Sequence, residues 1–88
     1  MDQSRLKRLL FRAHHMGSNE NDLLFGRFAS RRLAGFSEEQ LDRFEALLAR
    51  PDSDLFDWVT GKQPVPADLD HDVMAMIRLF VQTEAANP

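Results

Sequence analysis

The sequence contains no cysteine, which excludes a disulfide framework and thiolate metal sites and fits a reducing compartment. Long apolar runs are missing too. Those present, among them Leu9-Leu10-Phe11 and Leu23-Leu24-Phe25, reach only three to five residues, against the roughly 20 that span a bilayer as a helix. A membrane-spanning segment is therefore not expected. No segment shows the period-two alternation of β-branched residues that strands need, and there is neither an internal repeat nor a low-complexity tract. A linker is absent as well, so the 88 residues read as one domain over 1–88, with frayed ends at about 1–3 and 85–88. A chain of this size buries only about 60–65% of its unfolded surface, which leaves little room for an enclosed catalytic cavity.

Catalytic constellations are lacking in the same way. His14 and His15 look like ligands at first sight, but adjacent helical side chains point about 100° apart, and only the distant His71 offers a third imidazole. Neither a phosphate-cradling glycine loop, a cysteine nucleophile nor a supported Ser/His/Asp order is present. Asp52, Asp54 and Asp57 lack the central glycine and terminal glutamate of a calcium loop and read better as helix-start residues. The expectation is a protein that is not an enzyme, with no metal site and no tightly bound cofactor.

What is present is a series of amphipathic helices. Leu6, Leu9, Leu10 and Ala13 form a stripe from about Ser4 to about His14. Gly17 interrupts it, Ser18 or Asn19 can cap a second helix to about Leu33, and Gly35 reads as its left-handed stop. Ser37-Glu38-Glu39-Gln40 is a capping box, with Phe36 and Leu41 as its hydrophobic staple, so a third helix starts at Glu38 and ends before Pro51. Asp52 or Ser53 caps a fourth helix that stops at Gly61, with Phe56 and Trp58 read as core. Leu69, Val73, Met76, Ile77, Phe80 and Val81 line a fifth helix from about Asp68 to Glu84. The class is all-α, a compact bundle of five short helices.

Charge is unevenly placed. Residues 1–35 carry seven Lys or Arg against three acidic residues, whereas residues 36–88 carry four against eleven. The basic third could dock an acidic protein or a nucleic acid, or the two surfaces could attract each other inside the fold. Between the first two helices, Arg12 to Asp22 gathers a cation, two imidazoles, a glycine, short polar side chains and two carboxylates. It is the candidate partner-binding segment, the alternative being an ordinary capped turn.

On these residues the chain resembles the SdhE-type succinate dehydrogenase flavinylation factors, also called the succinate dehydrogenase assembly factor family. The likeness runs from Arg5 to Phe80. It rests on the basic lead Arg5 to Arg12, the Gly17-x-x-Glu20-x-Asp22-Leu-Leu turn, Phe44-Glu-Ala-Leu-Leu48, and Asp52-x-Asp-Leu-Phe-Asp-Trp58-Val-Thr-Gly61. The resemblance implies a five-helix fold and an assembly factor, a chaperone for the flavoprotein subunit of succinate dehydrogenase and in some bacteria of fumarate reductase. It implies that FAD becomes covalently attached to that partner. The family's Arg-Gly-x-x-Glu signature falls on Met16-Gly17-Ser18-Asn19-Glu20, with Met16 in place of the arginine. Arg12, His14 and His15 are the candidates to supply a cation in its stead, and Asp22 completes the expected partner-binding set. A cytoplasmic monomer is expected. Nucleic-acid binding ranks behind, because the total charge is acidic and no recognition helix stands out, and an antitoxin-like binding protein is the remaining class.

Overall fold

The apolar spacing folds as five α-helices. A computed structural model describes residues 3–85: α1 is Gln3–His14, α2 Asn19–Arg32, α3 Glu38–Leu48, α4 Asp52–Thr60 and α5 Asp72–Phe80. Turns of 3-10 helix, Leu33–Gly35 and Ala67–Leu69, follow α2 and precede α5, and a π turn, Val81–Ala85, follows α5. No strand occurs among the described residues, and none of their helices is long and apolar enough to cross a membrane. Of the ends expected to fray, Gln3 opens α1 and Ala85 closes the π turn. The rest of that expectation lies outside the described residues.

Each helix turns its apolar stripe onto one core. Leu9 and Ala13 of α1, Phe25 and Phe28 of α2, Leu41, Phe44 and Leu47 of α3, Leu55 and Val59 of α4, and Val73, Met74 and Ile77 of α5 are buried. Phe28 stands at the centre. Its ring stacks on Phe44 at 5.9 Å and meets Phe36 and Phe80 edge-on at 6.0 and 5.7 Å, geometries that add about 0.5–1.5 kcal/mol each to area burial. α1 lies mainly against α2. Gly26 permits that approach, because a β-carbon there would sit 2.5 Å from Nδ1 of the His14 ring. The staple residues Phe36 and Leu41 are both buried, and the capping box at Ser37 and Gln40 forms in full.

Three local expectations are corrected. Gly35 is not a left-handed stop: only Gly17 and Gly61 have positive φ among the described residues. Instead α2 tightens into a 3-10 turn in which Phe36 N–H donates to the Leu33 carbonyl at 3.1 Å. At α4 the N-cap is Pro51, with no side-chain cap; its preset φ suits the position, and Asp52 and Asp54 stand in the first turn, where the helix dipole favours carboxylates. The fifth helix is broken at Asp70, and α5 restarts with His71 as N-cap, Nδ1 accepting from Met74 N–H at 3.1 Å. The restart changes the buried stripe. Met74, outside the expected face, is fully buried, and Met76, on it, is only partly so.

Candidate functional site

The turn between α1 and α2 is closed by its own polar groups. Ser18, extended at φ −126°, accepts the Asn21 N–H through Oγ at 3.3 Å and so caps α2. Asp22 reaches back, and its Oδ1 accepts the Met16 N–H. The chain between those anchors must turn sharply, and Gly17 does so at φ +111°, a conformation that L side chains rarely adopt. The result is a fixed turn with Gly17 exposed at its crest.

A second helix end completes this surface. Asn21 is fully buried, and its Nδ2 donates to the Asp52 carbonyl at 2.8 Å, pinning the start of α4 beside the start of α2. The Asp52 carboxylate consequently lies over Gly17, where a β-carbon would come within 2.7 Å of Oδ2. A hollow of about 420 Å³ opens here, lined by Gly17, Glu20, Asp52, Asp57 and Phe56. Glu20 is exposed in the first turn of α2. Its carboxylate has no hydrogen bond or ion pair with any other described residue, so backbone N–H groups do not hold it and it is free to meet a partner.

The seven candidates named from the sequence separate into groups once folded. Gly17 and Glu20 share the hollow, and Asp22 braces it from behind through Met16. Met16 is half-buried, packed against the core, so its side chain serves packing where the family places an arginine. Arg12 points elsewhere, toward Glu45 of α3 at 3.7 Å. His14 lies on Gly26, with Nε2 3.1 Å from Ser30 Oγ. His15 stacks on Phe11 at 4.0 Å, and its Nδ1 is 2.7 Å from the Phe11 carbonyl oxygen. Arg12 and His14 thus turn to α3 and α2, and His15 folds back onto Phe11 of α1. Among the described residues no group of three or more His, Cys, Asp or Glu is placed to hold a metal ion.

Several residues of this surface escape a reading of the sequence. Asn21 looks like one more polar first-turn residue, yet it is the buried link between α2 and α4. Asp52 and Asp57 look like ordinary helix-start and surface carboxylates, and only their placement beside Gly17 and Glu20 brings them to the site. Phe56, expected in the core with Trp58, is half-buried and forms part of the hollow, whereas Trp58 is buried. The α4 register carries that distinction, since Leu55, Trp58 and Val59 fill the inward face and Phe56 falls beside it.

The basic third of the chain is largely neutralised within the fold. Arg5 meets Glu38, Asp42 and Glu45 of α3 at 3.0, 2.5 and 3.1 Å. Arg8 and Arg12 face Glu45 at 3.9 and 3.7 Å, and Arg31 and Arg32 both hold Glu84 at 2.5 Å. The hydrogen bond to Asp42, then that to Glu45, holds the Arg5 proton more tightly than is usual for arginine. Attraction between helices thus accounts for much of the charge asymmetry.

Comparison with known proteins bears on most of the chain. A family model described as flavinator of succinate dehydrogenase matches residues 7–81. The mitochondrial succinate dehydrogenase assembly factor 2 of Debaryomyces hansenii is 39% identical over 80 residues, 91% of this chain and 56% of that one. Its counterpart from Dictyostelium discoideum is 36% identical over 72 residues, 82% and 51% of the two chains, and the assembly factor 2-A of Drosophila erecta is 34% identical over 82 residues, 91% and 51%. The chain spans about half the length of the curated relatives it matches. Their names correct one expectation: they carry the word mitochondrial and point to that compartment rather than to the cytoplasm. The absence of cysteine and a basic lead that is structural helix describe the folded domain without fixing its compartment.

Proposed function

The chain belongs to the flavinator of succinate dehydrogenase family, and from that premise we propose that it is an assembly factor that binds the flavoprotein subunit of succinate dehydrogenase and promotes covalent attachment of FAD to it. The observation that carries this reading is the family match over residues 7–81, which takes in the Gly17 turn. The exposed Gly17 and the unpartnered Glu20 carboxylate support that turn as the docking point. Glycine leaves room for a partner's backbone, and a carboxylate in that first turn is favourably placed toward the helix dipole. The role is non-catalytic: the bond-forming groups belong to the partner and the flavin, while this chain, a monomer with no tightly bound cofactor, favours the partner conformation in which the bond forms. A fumarate reductase flavoprotein is the second client to test.

The test is reconstitution. The purified apo-flavoprotein subunit is incubated with FAD, with and without this chain, and covalent flavin is read as fluorescence after denaturing electrophoresis. A several-fold gain in covalent flavin is expected when the chain is present. An equal yield in both samples would sink the reading.

A further inference from the structure

The hollow at Gly17 does not end at Phe56. A second one, of about 330 Å³, continues between α2 and α4 and is bounded by Leu23, Leu24, Arg27 and Val81. Glu20 and Phe56 belong to both, so the two form one groove. Its α2 side runs from Glu20 to Arg27, two helical turns or roughly 10 Å. The floor is apolar at the Val81 end, where Leu23 is 56% exposed, an arrangement that water disfavours and an apolar side chain would relieve.

Charge fixes what can lie there. At the Gly17 end the carboxylates of Glu20, Asp52 and Asp57 have no ion pair or side-chain hydrogen bond with any other described residue, unlike Glu38, Asp42 and Glu45 of α3, which meet Arg5, Arg8 and Arg12. Three unpaired carboxylates around one hollow repel an acidic segment and attract a cation. The structure supplies a local precedent, since Lys62 Nζ stands 5.0 Å from the centre of the Phe56 ring. Lys62 itself does not line the groove, but the contact shows that the Phe56 ring, which does, takes a cation.

We propose that the α2–α4 groove receives a basic and apolar segment of the partner flavoprotein, with Arg or Lys toward Glu20, Asp52 and Asp57 and an aliphatic or aromatic side chain on Leu23, Leu24 and Val81. The segment is that of the flavoprotein only if this chain binds it, so the assignment rests on the function proposed above. Gly17 sets where the partner's backbone comes close, and the groove sets the direction and chemistry of the segment beyond that point.

The absence of cysteine makes the test clean, because Leu23→Cys creates a single thiol for a short photo-crosslinker. Irradiation with the purified succinate dehydrogenase flavoprotein subunit, followed by peptide mapping, is expected to join Leu23→Cys to a segment bearing Arg or Lys within about seven residues of an apolar side chain, the reach of two helical turns. Attachment to an acidic segment, or only to a second copy of this chain, overturns the assignment. In parallel, Leu23→Asp and Asp57→Lys are expected to weaken binding of the same subunit at least about tenfold. Leu79→Asp, at an equally exposed leucine on α5, leaves it unchanged. Unaltered affinity in the two groove variants sinks the groove while the assembly-factor reading stands. Failure of the unmodified chain to bind the subunit sinks both.

Discussion

Gly17 and Asp52 stand so close that a β-carbon on the glycine would lie 2.7 Å from Asp52 Oδ2, and the glycine also has φ +111°. The two constraints differ in kind. A carboxylate is the free end of a side chain and swings aside, but the backbone angle is set by the Ser18 cap and the Asp22 hydrogen bond to Met16 N–H. Gly17→Ala is therefore expected to lower the unfolding free energy by about 1–2 kcal/mol, read from urea denaturation. Adding Asp52→Ala is expected not to restore it. Recovery in the double variant would mean that the contact, and not φ, excludes a side chain.

Glu20 separates binding from folding at the same turn. Its carboxylate has no partner among the described residues, so removing the charge loses only the favourable interaction with the α2 dipole. Glu20→Gln is expected to change stability by less than about 1 kcal/mol while the flavoprotein subunit no longer co-purifies. Co-purification at the level of the unmodified chain would reduce Glu20 to a helix-start residue.

The parts of this protein that can be read from the sequence are those fixed by neighbours along the chain. The Ser37 to Gln40 box, the stop at Gly61 and the stripe of α1 all depend on residues within about one or two turns. The parts that escape depend on contacts between elements. Whether Arg12 serves the turn or α3 is decided by Glu45, 33 positions away in the sequence. Asn21 becomes the link to α4 only when the Asp52 carbonyl is brought beside it. The break at Asp70 escapes for a further reason: Leu69, Val73 and Ile77 keep helical spacing across it, so periodicity alone cannot register the restart. At the site, Gly17 and Glu20 are legible as a motif, and the groove that extends from them is not, since half of its wall comes from α4.

Arg5 offers a measure of the α1–α3 attraction. One guanidinium reaches three carboxylates, a geometry that the compact ammonium of lysine cannot reproduce. Arg5→Lys is expected to lower the thermal midpoint at low salt, and the gap between variant and parent is expected to narrow as salt is raised, because the partner carboxylates are solvent-facing. A gap independent of salt would assign the loss to packing of the arginine stem.

His71 is an unusual cap whose replacement is informative. Nδ1 accepts from Met74 N–H, and Nε2 is buried without a hydrogen-bond partner among the described residues. His71→Ala removes the N-cap acceptor of α5 and is expected to destabilise the fold by about 1 kcal/mol. His71→Asn keeps an acceptor of the preferred type without the buried ring nitrogen, and is expected to be at least as stable as the parent in urea. If asparagine proves as damaging as alanine, the imidazole contributes through packing and not through capping.

Asp72 gives the pH dependence its direction. The hydrogen bond from Gln40 Nε2 holds this carboxyl below its ordinary value, against some opposing desolvation and with help from the Val73 N–H and the nearby Arg43. A carboxylate whose pKa is lower in the folded than in the unfolded chain binds fewer protons when folded, so it stabilises the fold. That stabilisation is complete above the ordinary carboxyl value of 3.8 and disappears as pH falls through the lower folded value. Asp72→Asn is accordingly expected to be less stable than the parent near neutral pH, with the urea midpoints of the two converging below about pH 4. Because the carboxyl is solvent-facing, raising the salt concentration at neutral pH should shrink the part of the difference that comes from Arg43 and leave the part from Gln40. A difference that stays constant from neutral to acid would show that charge at Asp72 plays no part in joining α3 to α5.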